Sequence, residues 1–124
     1  MSASTVELTA ENFESTIADN DIVLVDWWAS WCGPCRMFAP VFEEAATKHD
    51  DIVFGKVDTE AEQALSGAAG IMSIPTLMVF REKVLVFSQP GALPGHVLED
   101  LIDQVRGLDM PSIHAEIAAQ STSS

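Results

Sequence analysis

An α/β domain with helices on both faces of a mixed sheet is predicted by three features of this 124-residue chain. Runs with strand and helix periods alternate along it, one strand-like run is apolar on both faces, and two late strand-like runs lie close enough for a hairpin. Thr5 to Leu8 reads as a short edge strand, followed by a helix that Thr9 is expected to cap, with Phe13 and Ile17 on one face. Ile22 to Trp28 is apolar except for Asp26, the pattern of a central strand covered on both sides. Pro34 to His49 reads as a helix, because Met37, Val41 and Ala45 form one row and Phe38, Phe42 and Ala46 the next. Pro34 suits a first turn, whereas Pro40 falls mid-helix and is expected to kink the axis.

Ile52 to Val57 is a second buried strand, and Thr59-Glu60-Ala61-Glu62 is expected to form a capping box opening a helix that ends near Gly67 or Gly70. Thr76 to Phe80 and Val84 to Ser88, separated by Arg81-Glu82-Lys83, form an antiparallel pair, and Gly91 to Gly95 is a turn. The last main helix places Val97, Leu98, Leu101, Ile102 and Val105 on one face, opposite Glu99, Asp100 and Asp103, and stops at Gly107. The order is β-α-β-α-β-α-β-β-α, a five-stranded mixed sheet with four helices on its two faces. The expected organisation is one domain over residues 1–107 and a carboxy-terminal extension over 108–124. Within the extension, Pro111 and Ser112 start a short helix carrying Ile113 and Ile117, and Gln120 to Ser124 are expected to be disordered.

Hydrophobic residues at 48% and charged residues at 20% exclude wholesale disorder. A chain of this length buries about two-thirds of its unfolded surface and needs neither a disulfide nor a metal to fold. The net charge of -13 repels phosphate backbones and anionic headgroups, so neither nucleic acid nor a membrane is an expected partner, and it favours a monomer. No run approaches the roughly 18 apolar residues of a membrane span. Met1 to Glu7 has neither the basic start nor the apolar stretch of a secretion signal, so a cytoplasmic location is expected.

Chemistry concentrates in Trp31-Cys32-Gly33-Pro34-Cys35-Arg36, between the end of a buried strand and the start of a helix. There Cys32 meets unpaired backbone N–H groups and the positive end of the helix dipole, which favour thiolate over thiol. Cys32 is the expected attacking sulfur, and Cys35, one turn further in, the shielded resolving thiol. A metal site would need about four ligands. These two cysteines with His49, His96 and His114 lack the spacing for one, so no metal is expected and the histidines are expected to be ordinary surface residues. A carboxylate within an apolar strand must be paired, wet or protonated near neutral pH, and Lys56 is the obvious partner for Asp26.

The chain resembles the thioredoxin family. The resemblance covers residues 6 to about 106 and is carried by Val25-Asp26-Trp27-Trp28-Ala29-Ser30-Trp31-Cys32-Gly33-Pro34-Cys35-Arg36-Met37-Phe38-Ala39-Pro40, by Ser73-Ile74-Pro75-Thr76 and by Gly91-Ala92. It is most like actinobacterial members with a short carboxy-terminal tail. It implies the thioredoxin fold and protein disulfide reduction through a Cys32/Cys35 dithiol–disulfide cycle, with Gly33 and Pro34 in the catalytic loop. It also implies that Asp26 lies beneath the disulfide and assists proton transfer to or from Cys35, with Lys56 nearby. Pro75 would be cis, although most X-Pro bonds are trans, and the backbone of Ile74 would pair with an extended substrate segment. Trp31, Ile74, Pro75, Gly91 and Ala92 form the implied substrate platform with Gly33 and Pro34, while Trp28 supports the loop from below.

No bound cofactor beyond the redox-active disulfide is implied, since NADPH and FAD belong to the partner thioredoxin reductase. Peroxiredoxins, methionine sulfoxide reductases and ribonucleotide reductase are the kinds of disulfide-forming protein implied as further partners. An oxidant or isomerase would typically carry a His-containing pair in place of Gly33-Pro34, and a non-catalytic scaffold or binding subunit is the alternative from another class. Four places depart from the family pattern: Glu82-Lys83, where a wider or bulged loop is expected, Ser73 and Pro90 beside the substrate groove, and Asp109 to Ser124, which the shortest members lack.

Overall fold

The computed structural model describes residues 4–122. Its elements are β1 (Thr5–Glu7), α1 (Phe13–Asp19), β2 (Ile22–Trp28), α2 (Gly33–Lys48), β3 (Val53–Asp58), α3 (Gln63–Ala68), β4 (Thr76–Arg81), β5 (Val84–Pro90), α4 (Gly95–Arg106) and α5 (Met110–Thr122). The sheet order is β1-β3-β2-β4-β5. β2 lies at its centre, parallel to β3 and antiparallel to β4, with Asp26 opposite Lys56 on one side and Leu77 on the other.

The period of two along β2 divides the core. Ile22 and Leu24 pack with Phe38 and Phe42 of α2 and Leu98 and Ile102 of α4. Val23, Val25 and Trp27 pack on the opposite face with Phe13 and Ile17 of α1 and Leu65 of α3. Helices on both faces explain why Ile22 to Trp27 is buried without interruption, and they place Asp26 on the α2 side, beyond Leu24. At the β1 edge, β3 carries Gly55 under Leu8, and a Cβ there would overlap the Leu8 side chain.

Local expectations fail where tertiary partners take over the groups concerned. The Thr9 hydroxyl accepts from the Glu11 N–H one turn ahead of α1, whose residue before the first turn is Asn12. The capping box at Thr59 does not form. Its hydroxyl donates to the Trp28 carbonyl, Glu62 accepts from the Ala10 N–H, and Asp58 instead accepts from the Glu60 and Ala61 N–H groups. Pro40 is contained within α2, which continues to Lys48.

The β4–β5 connection is tighter than expected. Glu82 and Lys83 both have positive φ, at 51° and 71°, the backbone of a two-residue hairpin turn whose twist matches the strands. The irregularity lies in β5 instead, where Val79 faces Phe87 and Phe80 faces Leu85, leaving Val86 as the extra residue.

Among the described residues there are five helices, not four, because the extension forms α5. Met110 is 2% exposed and Ile113 half-buried, whereas Ile117 is 42% exposed. Gln120, expected in a disordered tail, lies within the helix, while Ser123 and Ser124 fall outside the described residues. The junction is held by Arg81, whose guanidinium Nη1 donates to the carbonyls of Val105, Arg106 and Leu108 at 2.7, 3.1 and 3.2 Å. One cation at the end of β4 thus satisfies the carbonyl end of α4 and turns the chain toward α5.

Arg81→Met is expected to lower the unfolding free energy by about 2–3 kcal/mol, because three carbonyls at this junction lose a charged donor. Arg81→Lys, which lacks the fork, is expected to recover only part of it. Denaturant titration of the three proteins measures both.

Candidate active site

β2 ends at Trp28, and Ala29 to Trp31 lead directly into α2, so the Cys-x-x-Cys segment is the first turn of a helix fixed to the central strand. Cys32 precedes the first helical residue in extended conformation, and its Sγ accepts the backbone N–H of Cys35 at 3.1 Å. Cys32 and Cys35 are joined as a disulfide, with Cα atoms 5.2 Å apart and exposures of 4% and 3%. When the pair is reduced, the same N–H and the helix dipole favour negative charge on the Cys32 sulfur. Arg36 donates to the Ser30 carbonyl at 2.9 Å and ties the loop to the helix it opens.

Trp28 and Ile74 pack against Ala29, Cys32 and Cys35. The Ile74–Pro75 bond is cis, and Cys32 Sγ lies 3.7 Å from the Ile74 carbonyl oxygen. Pro75 is buried while Ile74 remains partly exposed. Gly91, with φ at 103°, donates its N–H to the Pro75 carbonyl at 2.8 Å, a turn that residues with a side chain rarely adopt. Beside Gly33 a Cβ would meet nothing within 4 Å, and Pro34 and Ala92 are exposed, so the loop faces open space. Trp31 is 64% exposed, its indole N–H held by Glu60 at 2.7 Å.

Asp26 is fully buried, and neither carboxylate oxygen has a hydrogen-bond partner among the described residues. The expected ion pair with Lys56 is absent: Lys56 Nζ lies 3.4 Å from Glu43 Oε2 and 5.3 Å from the centre of the Trp28 ring. Burial pushes the Asp26 carboxyl up to about 7, while the Lys56 charge pulls it down and Glu43 pushes it further up. A cavity of about 90 Å³ is lined by Asp26, Cys35 and Lys56 together with Trp28, Ala29, Arg36 and Ala39. It joins a carboxyl that titrates near neutrality to the shielded sulfur through a space large enough for solvent.

A dithiol–disulfide pair at a helix N-terminus, over a buried carboxyl and beside a backbone edge, defines a thiol–disulfide oxidoreductase. A thioredoxin family model matches residues 4–104. The chain is 59% identical to the Streptomyces coelicolor protein named "Putative thioredoxin 2", covering 94% of this chain and 87% of that one. It is 43% identical to thioredoxin C-3 of Corynebacterium nephridii, over 80% and 69% of the two chains. Among solved structures, a point mutant of a thioredoxin from Halobacterium salinarum superposes with a TM-score of 0.77 at 34% identity, covering 87% of this chain and 96% of that one. A Plasmodium falciparum thioredoxin superposes at 0.74 with 33% identity, covering 81% and 97%. The chain belongs to the thioredoxin family.

Several residues of the site were not singled out from the sequence. Glu60 reaches Trp31 across 29 positions, and Glu43 takes Lys56 away from Asp26, partnerships that no local spacing announces. A groove of about 550 Å³ beside Trp31 and Ile74 also takes in Thr59, Ile71 and Met72. The histidines lie away from the disulfide. His49 is not an ordinary surface residue: its side chain is 15% exposed, bonded to Glu99 at 2.7 Å and to Arg106 at 3.0 Å. Among the described residues no group of three or more His, Cys, Asp or Glu side chains is placed to hold a metal ion.

The raised Asp26 value fixes the sign of a pH effect. The folded protein holds this proton where the unfolded chain has released it, so the Asp26 contribution to stability falls as pH rises from about 4 to about 7. Asp26→Asn is therefore expected to stabilise the oxidised protein at pH 8, by an amount on the order of 2–4 kcal/mol greater than at pH 4. Equilibrium denaturation of both proteins at the two pH values checks this. An equal difference at both would show that desolvation of the ionised carboxylate is not the cause.

Proposed function

We propose that the protein is a general protein disulfide reductase, re-reduced by an NADPH-dependent flavoprotein thioredoxin reductase and working in a reducing cytoplasm. The observation that carries the proposal is Cys32 Sγ at the N-terminus of α2, accepting the Cys35 N–H while Cys35 borders the Asp26 cavity. In the reduced protein the Cys32 thiolate attacks one sulfur of a substrate disulfide. A Cys32–substrate disulfide forms and the other substrate sulfur leaves as a thiolate. Asp26, in its ionised form, accepts the Cys35 proton through the cavity, with Lys56 and Glu43 tuning how readily it does so. The Cys35 thiolate then attacks Cys32 Sγ, closing the intramolecular disulfide and releasing the second substrate thiolate. Two electrons have passed to the substrate, and NADPH restores them through the reductase and its FAD.

Substrate is held at the edge formed by Trp31, Gly33, Pro34, Ile74, Pro75, Gly91 and Ala92. The proposed contact is an extended segment whose backbone pairs with Ile74, the residue whose carbonyl already approaches Cys32. Support for this comes from the open space before Gly33 and from the exposure of Trp31 in a chain of strongly negative charge. Disulfide-cycling peroxidases, methionine sulfoxide reductases and ribonucleotide reductase are the proposed kinds of partner, met by a monomer. Among the described residues no helix is long and apolar enough to cross a membrane.

NADPH oxidation with the host reductase and a disulfide-bonded protein substrate tests the reading. Cys32→Ser is expected to abolish turnover, and Cys35→Ser to accumulate a mixed disulfide with substrate visible by non-reducing electrophoresis. Turnover retained by Cys32→Ser would reverse the assigned roles.

A further inference from the structure

The groove beside Trp31 and Ile74 has one unusual wall. Met72 is 94% exposed, the most exposed of the described large apolar side chains, and it lines the groove with Trp31, Ile71 and Ile74. An unbranched thioether suits a surface that must fit apolar side chains of differing shape. At that exposure the Met72 side chain lies open to solvent. The other described methionines separate cleanly: Met78 and Met110 are buried at 6% and 2%, and Met37, 74% exposed on α2, lines neither this groove nor the cavity that Cys35 borders.

Resting on the disulfide-reductase reading, we propose that Met72 is a peroxide-sensitive specificity residue of the substrate groove. The occupant of the groove is a large apolar side chain next to the cystine of a protein substrate, since the groove is continuous with Trp31 and with the Ile74 edge that approaches Cys32. A hydroperoxide transfers its terminal oxygen to the Met72 sulfur. The O–O bond breaks, the thioether is oxidised by two electrons to the sulfoxide, and the other peroxide oxygen leaves with the proton as water or an alcohol. The oxidised form of the protein presents this target with its two cysteines already joined, so the thiols do not compete for the oxidant. The sulfoxide places a polar group on the groove wall. It weakens the grip on protein substrates, while a small disulfide, which reaches Cys32 without filling the groove, is reduced as before.

The test treats the disulfide form with hydrogen peroxide, removes the oxidant, and maps added oxygen by peptide mass spectrometry. Selectivity is then read as the kcat/KM for a disulfide-bonded protein divided by that for a small aromatic disulfide. Each of wild type, Met72→Leu and Met37→Leu is compared with its own untreated sample. The expected result is faster oxygen addition at Met72 than at Met78 or Met110. Selectivity is expected to fall about fivefold in treated wild type and Met37→Leu, with no fall in treated Met72→Leu. Met72→Gln, which imitates the polarity of the sulfoxide without oxidant, is expected to show the same loss relative to Met72→Leu.

An equal fall in treated Met72→Leu, or a Met72→Gln selectivity equal to that of Met72→Leu, would overturn the proposal. Failure of untreated wild type to reduce either disulfide would instead sink the reductase reading, and this inference with it.

Discussion

A strand covered by helices on both faces shields a carboxylate from bulk solvent, and β2 carries Asp26 where the α2-side core meets the base of the disulfide loop. The arrangement of the site follows from that burial. Because β2 is fixed between β3 and β4, its end delivers Ala29 to Trp31 to one place, and α2 must start there. The helix N-terminus then provides the unpaired N–H groups that the Cys32 sulfur meets. Burial thus acts twice, raising the Asp26 pKa and setting Asp26 and Cys35 on the wall of one cavity.

The charges around Asp26 act on that burial in opposite directions, Lys56 opposing it and Glu43 adding to it. A direct ion pair with Lys56 would hold the carboxyl ionised and leave it poorly suited to carry a proton near neutrality. Lys56 is engaged by Glu43 and lies over the Trp28 ring, so its field reaches Asp26 without a hydrogen bond. The outcome is a carboxyl pushed up to about 7, inside the range where a proton can be both taken and returned.

The two ends of the sheet have separate duties. At the end where β2 meets α2, Trp31, Ile74 and Met72 form an exposed apolar margin, with the Trp31 indole anchored by Glu60. At the other end, Ile22 pairs with Arg81, which gathers the last carbonyls of α4 and the start of the extension. α5 is attached there through Met110 and through His114, which bonds to Glu82 of the hairpin turn at 2.8 Å. Changes in the extension are therefore remote from the disulfide.

The alternating strands and helices, the buried central strand and the Cys-x-x-Cys at a strand-to-helix junction were all legible from residue order, because each depends on local period and on chemistry within a few positions. Burial of Asp26 was legible for the same reason: its neighbours in β2 are all apolar. Partner choice was not legible. Lys56 was the obvious partner for Asp26 by sign and strand position, yet Glu43 of α2 occupies it, and Glu60 finds Trp31 from a different loop. The capping box at Thr59 and the disorder expected from Gln120 failed in the same way, the first because Trp28 offers a competing carbonyl, the second because α5, anchored at Met110, carries its helix through that position. The amino-acid order by itself determined where the cysteine pair falls and which residues share a face. Only the tertiary structure decided which polar groups meet, since hydrogen bonds and ion pairs go to whichever partner packing brings within reach.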